Sequence, residues 1–251
     1  MNGPTSKPFS AVAPHYDVLM RAVPYPMWVS YYLLLLAHQG SHPRRVLDIA
    51  CGTGTMTELL VDEELAMTGI DIAPGMIAEA RRKAALRGSP TRYEVADVRE
   101  FALGDTFEGA LSFFDCLNNL LTTDELGQAF RRVYAHLEPG GSWIFDLNTA
   151  YAFEKRMFDQ KDRRPKSPLH YDWTGEYDPG TRIITVTMRF WNGQGEFVEV
   201  HRQRAFTMDE VMAALAEAGF VEVTPFHSYT LDKPRKNSDR WHFACLRPPT
   251  D

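Results

Sequence analysis

The hydrophobic pattern of this chain switches between two periods. From residue 27, MWVSYYLLLLAHQG reads as an apolar helix closed by Gly40, and a turn through Pro43 leads into the strand RVLDIA. After Gly54, TMTELLVDEEL is helical and AMTGIDI is a short strand. APGMIAEARRKAALRG then forms a helix with Ile77, Ala80, Ala84 and Ala85 on one face and a stop at Gly88. The rhythm continues through the strands TRYEVAD and FEGALSFFD, the helix DELGQAFRRVYAHL ended by EPGG, and the strand SWIFDLN. Strands alternating with helices of this length need crossover connections, and so a parallel sheet covered on both faces. The pattern predicts an open, doubly wound α/β fold.

Near residue 150 the period changes. TRIITVTMRFW places Ile184, Val186, Met188 and Phe190 on one side, the turn NGQG follows, and EFVEVHRQRAF alternates again. These read as antiparallel strands. An antiparallel β insertion is thus expected over 151–206, inside one domain spanning 1–251 whose first 40 residues form a helical leader. The core resumes with TMDEVMAALAEAG, where Thr207 and Glu210 match a capping box and Gly219 marks the stop. FVEVTPFHSY and RWHFACLR are two strands joined by the polar loop DKPRKNSD, too short for a crossover helix, so the last strand should run antiparallel to the others.

Composition narrows the function. The net charge of -6 disfavours a broad nucleic-acid surface, whose affinity comes largely from Lys and Arg that release counterions. The three cysteines, Cys51, Cys116 and Cys245, show no CxxC pair and no histidine at zinc spacing, and read as reduced thiols of a cytoplasmic protein without a bound metal. MNGPTSKPFSAVAPHYD lacks the apolar core of a signal peptide, and the patch YYLLLLA is too short to span a bilayer. The basic stretch KDRRPKSP reads as a solvated loop.

The chemistry concentrates at the ends of the strands, where open α/β sheets bind ligands. In VLDIACGTGTMTELL, Gly52 and Gly54 sit at the first turn, where glycine permits backbone angles closed to other residues and lets a flat ligand approach the main chain. A dinucleotide fingerprint would need a third glycine, and the series here is Gly52, Gly54, Thr57. Asp48 precedes the turn, where it can accept hydrogen bonds from the turn or attract a cation. Asp71, at the end of the second strand, can accept from both ribose hydroxyls, and Asp97, after the third, can accept an adenine amino group. Three acids on successive strand ends describe a ribose and adenine site without a phosphate cradle.

These motifs resemble those of the class I S-adenosylmethionine-dependent methyltransferases. LDIACGTG is similar to their first motif, GIDIAPGM to the second and ADVREF to the third. FFDCLNNLL resembles the segment beside the transferred methyl group, and LEPGGSWIFDLN the entry to strand five. The insertion and the HYDVLM leader further resemble the small-molecule branch of glycine and aminosugar N-methyltransferases. The resemblance implies a Rossmann-like seven-stranded sheet with strand seven antiparallel, interrupted by the insertion between strands five and six. It implies S-adenosylmethionine as cofactor, with Ala50, Cys51, Gly52 and Gly54 against it and Asp71 on its ribose. Asp97 and Val98 would hold the adenine, Ile72 and Met76 flank the adenosine, Phe114 and Asp115 border the methionine portion, and Tyr16 close over it. Cys51 is expected to pack rather than react.

Methyl transfer from a sulfonium asks mainly for alignment and exclusion of water. His201 is the candidate base, on a strand where Phe197, Glu199, His201 and Gln203 share a face that either roofs the site or meets solvent. His15 and His170 read as loop residues. Tyr16, Trp28, Tyr31 and Trp191 could wall a cationic ligand. The expected activity is methyl transfer to nitrogen or oxygen of a small-molecule acceptor. The competing readings are a catalytically silent cofactor-binding module, a protein or RNA methyltransferase, and a nicotinamide dehydrogenase. The oligomeric state is not legible.

Overall fold

The computed structural model describes residues 5–6, 8–193 and 195–250. In chain order the elements are β1 (Thr5–Ser6), α1 (Tyr16–Leu19), α2 (Tyr25–Gln39), β2 (Arg45–Ile49), α3 (Thr55–Asp62), β3 (Ala66–Asp71), α4 (Pro74–Arg87), β4 (Arg92–Val95) and β5 (Phe107–Ser112). They continue with α5 (Thr123–His136), β6 (Leu137–Asn148), α6 (Ala150–Glu154), β7 (Gln160–Asp162), β8 (His170–Asp178), β9 (Ile183–Asn192), β10 (Gly195–Arg204), α7 (Met208–Ala218), β11 (Val221–His227) and β12 (Arg240–Leu246).

Seven strands form one sheet in the order β11-β12-β6-β5-β2-β3-β4. β2, β3, β4, β5 and β6 are parallel to their neighbours, whereas β12 pairs antiparallel with both β6 and β11. The doubly wound sheet with an antiparallel last strand is therefore present. Its strands are nearly continuous apolar runs because helices cover both faces: every residue of β6 from Gly141 to Asn148 is buried. On one face α5 turns Leu126, Ala129, Phe130 and Val133 toward Trp143, Phe145 and Phe243, the spacing of a single helical stripe. On the other, Tyr32, Leu35 and Leu36 of α2 pack with Val46, Leu111 and Ile144. Each large apolar side chain so buried contributes about 1.5–3 kcal/mol.

Several expected boundaries move for local reasons. The α2 helix begins at Tyr25 with a proline in its first turn, where the missing N–H costs nothing. In α4 the buried stripe is Met76, Ile77, Ala80 and Ala84, with Ala85 exposed. β6 starts at Leu137 rather than Ser142. Its pairing with β5 slips between Phe107 and Gly109, and Gly140 at φ 80° absorbs the extra residues. The capping boxes at Thr122/Glu125 and Thr207/Glu210 are both formed.

The insertion is a separate sheet, β1-β10-β9-β8-β7, in which β7, β8, β9 and β10 are antiparallel and β1 joins from the leader, parallel to β10. KDRRPKSP contributes Lys161 and Asp162 to β7, so it is not wholly loop, and His170 lies on β8. The turn Asn192-Gly193-Gln194-Gly195 includes Gln194, which lies outside the described residues, as do Met1 to Pro4 and Lys7 of the leader.

Candidate active site

The turn after β2 is built by backbone that few residues adopt. Ala50, Gly52 and Gly54 have φ of 60°, 56° and 74°. The two glycines serve different ends. A Cβ on Gly52 would meet no atom within 4 Å, so its missing side chain leaves a ligand free to lie on the main chain. A Cβ on Gly54 would stand 2.5 Å from the Tyr93 hydroxyl. Gly54 is absent from the chamber wall and instead lets the turn pack against Tyr93, which donates to the buried Glu58 at 2.7 Å. Gly54 thus supports the turn from behind, packed on Tyr93, whereas Gly52 lines the chamber.

Asp71 ends β3 and is buried. Its carboxylate accepts the Gly52 N–H at 3.0 Å and the Ala73 N–H at 2.8 Å, so one side chain ties the glycine turn to the start of α4. Burial raises its pKa, and those two N–H groups oppose the rise. Asp48 is also buried and accepts the Thr57 hydroxyl at 2.5 Å. Desolvation pushes its pKa up to about 7. Asp97 lies two residues beyond the end of β4, and the Arg99 guanidinium holds both its oxygens, which places its pKa below the usual carboxylate range. Arg99 also bonds Glu125, so the expected adenine acceptor is already engaged in an ion-pair chain.

These groups border a chamber of about 900 Å³, at the upper end of small-molecule sites. One end is lined by Gly52, Asp71, Ile72, Met76, Asp97 and Val98 at the strand termini. The other is lined by Tyr171, Trp173, Met188, His201 and Gln203 from the insertion. A lobe of about 40 Å³ adjoins it, bounded by Tyr16, Asp48, Ala50, Cys51, Phe114 and Gly52. Cys51 faces this lobe alone, and burial pushes its thiol well above the usual range, which leaves no reactive thiolate. Of the four expected wall aromatics, Tyr16 and Trp28 line the chamber. Tyr31 donates to the Thr230 carbonyl in the core, and Trp191 packs on His170.

Phe114 and Asp115 follow β5 with φ of 67° and 48°, two consecutive residues in the left-handed region. Such strain persists where the surroundings over-determine it. Phe114 stacks on Trp28 at 3.9 Å, and the Asp115 N–H donates to Asp146 at 2.9 Å. The Asp115 carboxylate accepts from Gln203 and from Arg240, each at 2.8 Å. Arg240 also donates to Asp146, whose pKa burial raises to about 6 against the pull of that guanidinium. Asp146 and Arg240 were not singled out from the sequence; the acid inside the apolar strand WIFDLN was the available signal.

The polar face of β10 turns inward: Glu199, His201 and Gln203 are all buried. This corrects the solvent-facing alternative, because leader residues 9 to 12 lie across the strand and hydrogen-bond to Glu199. The leader is also tied to the cofactor end. Asp17 accepts from Lys83 at 2.6 Å and from the hydroxyls of Thr53 and Thr55 beside the glycine turn. Among the described residues no cluster of three His, Cys, Asp or Glu side chains is placed to hold a metal ion, and no helix is long and apolar enough to cross a membrane.

A model of the methyltransferase domain matches residues 46–141. The chain is 38% identical over 179 residues to a dTDP-3-amino-3,4,6-trideoxy-alpha-D-glucopyranose N,N-dimethyltransferase of Streptomyces venezuelae, covering 69% of this chain and 74% of that one. It is also 38% identical over 221 residues to a malonyl-[acyl-carrier protein] O-methyltransferase of Anoxybacillus flavithermus, covering 76% and 83%. The crystal structure of an S-adenosylmethionine-dependent methyltransferase from Clostridium acetobutylicum superposes with a TM-score of 0.82 at 23% identity over 95% of this chain and 98% of that one, and so shares the fold. With these likenesses, the strand order and the strand-end motifs, the chain belongs to the class I S-adenosylmethionine-dependent methyltransferase family, and S-adenosylmethionine is its methyl donor.

Proposed function

We propose that the protein methylates a nitrogen or oxygen of a small molecule that binds between the cofactor and the insertion sheet. The observation that carries this reading is the single chamber joining the strand ends to β10, large enough for two ligands side by side. One relative is named for amine methylation on a sugar nucleotide and another for methylation of a carrier-bound malonyl group. The acceptor is therefore read from the chamber itself. Its far end is apolar, with Met157, Phe158, Trp173, Val186, Met188 and Phe190, and its polar groups gather toward β5 and β10. This suits a molecule with an apolar body and one polar reacting group. Gln203 lines the chamber and donates to Asp115, which fixes its side chain at the polar boundary.

In this reading Asp71 holds the cofactor ribose, Ile72, Met76 and Val98 enclose the adenine with Asp97 at its edge, and Gly52 lies beneath. Tyr16, Ala50, Phe114 and Asp115 border the methionine end, and Asp48 supplies negative charge to it. When bound, S-adenosylmethionine supplies a methyl carbon activated by a sulfonium. The residues of the chain align the two molecules, exclude water through the leader and insertion, and accept a proton at His201.

The test is formation of S-adenosylhomocysteine and a methylated product, followed by mass spectrometry, over a panel of small amines and alcohols with apolar bodies. Transfer confined to polypeptide or RNA substrates would overturn the proposal. On an accepted substrate, His201→Gln is expected to lower kcat by about 10²–10⁴-fold while S-adenosylhomocysteine binds as in the parent. An unchanged kcat would remove His201 from the chemistry.

A further inference from the structure

We infer that Glu199 is a positioning residue that fixes the tautomer of His201 and makes it depend on the closed leader. This rests on the proposed role of His201 as proton acceptor.

Glu199 has no exposed surface, although its neighbourhood is an apolar cluster of Val12, Ala13, Phe190 and Phe197. A carboxylate there must be fully hydrogen-bonded or neutral. Its Oε1 accepts the N–H of Ala11 at 3.0 Å and of Val12 at 3.1 Å, and its Oε2 accepts the N–H of Phe9 at 2.8 Å. His201 Nε2 lies 3.0 Å from Oε2. Burial works against its charge, but the bonds from His201 and the backbone of Phe9 and Val12 prevail, and Glu199 is held below its ordinary range.

An ionised carboxylate has no proton to give, so Nε2 of His201 must be the donor. A neutral imidazole then carries its lone pair on Nδ1. Nδ1 makes no hydrogen bond among the described residues, and His201 lines the chamber. The Phe9 ring meets the imidazole edge-on at 4.5 Å and 88°, which holds the plane of the ring. Three amides and one ring of the leader thus orient one nitrogen. Nearby, Val12 and Ala13 of the leader pack on Ala73 and Met76, and Asp17 holds Lys83 and the glycine turn. The same short segment closes over the cofactor end and sets the proton acceptor at the other.

The proton balance is simple. An acceptor ammonium gives its proton to His201 Nδ1, and the freed amine lone pair forms the new nitrogen–carbon bond as the sulfur–carbon bond breaks, its electron pair staying on sulfur. A hydroxyl acceptor loses its proton to Nδ1 as the oxygen–carbon bond forms. The imidazolium, paired with Glu199, releases its proton to water when the leader opens.

The test is ¹⁵N NMR of histidine-labelled full-length protein with saturating S-adenosylhomocysteine, His201 being assigned from His201→Gln. One tautomer is expected, with hydrogen on Nε2 and Nδ1 bare. Glu199→Gln replaces an acceptor by an amide that clashes with the leader N–H donors. It should yield mixed tautomers, speed exchange at Phe9, Ala11 and Val12 at least tenfold, and alter S-adenosylhomocysteine affinity less than threefold; Glu199→Asp should recover part of the single tautomer. Gly75→Val approaches from the far side, because a Cβ at Gly75 already stands 3.1 Å from that of Ala13, and should mix the tautomers with Glu199 intact. A single Nε2–H tautomer persisting in folded Glu199→Gln, or in Gly75→Val should the former not fold, overturns the inference. Failure of the parent protein to bind S-adenosylhomocysteine would instead overturn the site assignment.

Discussion

Asp48 offers a perturbation in which stability and binding should move in opposite directions. It is 4% exposed and accepts from Thr57, and burial lifts its pKa from 3.8 to about 7. Between about pH 4 and pH 7 the folded state therefore holds more protons than the unfolded one, and this group's contribution to stability falls as pH rises through that window. At pH 8 ionised Asp48 therefore costs the fold about 4 kcal/mol. Asp48→Asn removes the charge and leaves an amide N–H₂ to satisfy, which offsets about 1–3 kcal/mol of the gain. Thermal unfolding should show the variant stabilised at pH 8 and level with or below the parent at pH 4. The charge is retained, on this account, for a cationic ligand in the adjoining lobe. Binding that requires ionised Asp48 is available to about one tenth of the protein at pH 6 and nine tenths at pH 8. Calorimetry should give S-adenosylmethionine about ninefold tighter binding at pH 8 than at pH 6, beyond any pH effect seen with Asp48→Asn, whose ligand titrates identically. The same pH dependence in both proteins, or a variant less stable than the parent at pH 8, would refute the argument.

Other outcomes follow from the same geometry. Asp71→Ala removes a carboxylate that ties Gly52 to Ala73. Losing charge-assisted bonds worth about 1.5–3 kcal/mol should weaken S-adenosylhomocysteine binding about 10–150-fold, measurable by calorimetry. The two glycines should separate: Gly52→Ala faces open space and pays for its φ of 56° about 1–2 kcal/mol of stability while blocking the cofactor. Gly54→Ala meets Tyr93 and should lower the melting temperature more than Gly52→Ala does, which paired thermal and binding measurements would show. Asp146→Ala leaves the buried Arg240 with Asp115 as its remaining carboxylate partner and should cost about 1.5–3 kcal/mol in denaturant unfolding.

How much of this was legible in the sequence depended on how local each signal was. The sheet and its antiparallel last strand followed from element lengths and from a loop too short for a helix. Asp71 followed from its place at a strand end. The division of labour between Gly52 and Gly54 did not, because Tyr93, which meets Gly54, is distant in sequence and reaches it only through the packing of β4 beside β3. Alternation grouped Glu199, His201 and Gln203 on one face of β10, yet the direction of that face was set by leader amides about 190 residues away. Asp97 was recognisable, but Arg99 two residues later competes for its oxygens once the turn brings the guanidinium back. Ala85 fell off the buried stripe of α4 because alanine is small enough to suit either face, whereas Met76 reaches the chamber.

A crystal structure of the full chain with S-adenosylhomocysteine would locate the cofactor relative to Asp71 and β10. Ribose hydroxyls are expected on the Asp71 carboxylate, adenosine between Met76 and Val98, and the sulfur directed toward the space bounded by Gln203 and His201. A ligand whose ribose lies away from Asp71, or whose sulfur faces away from β10, would contradict this placement.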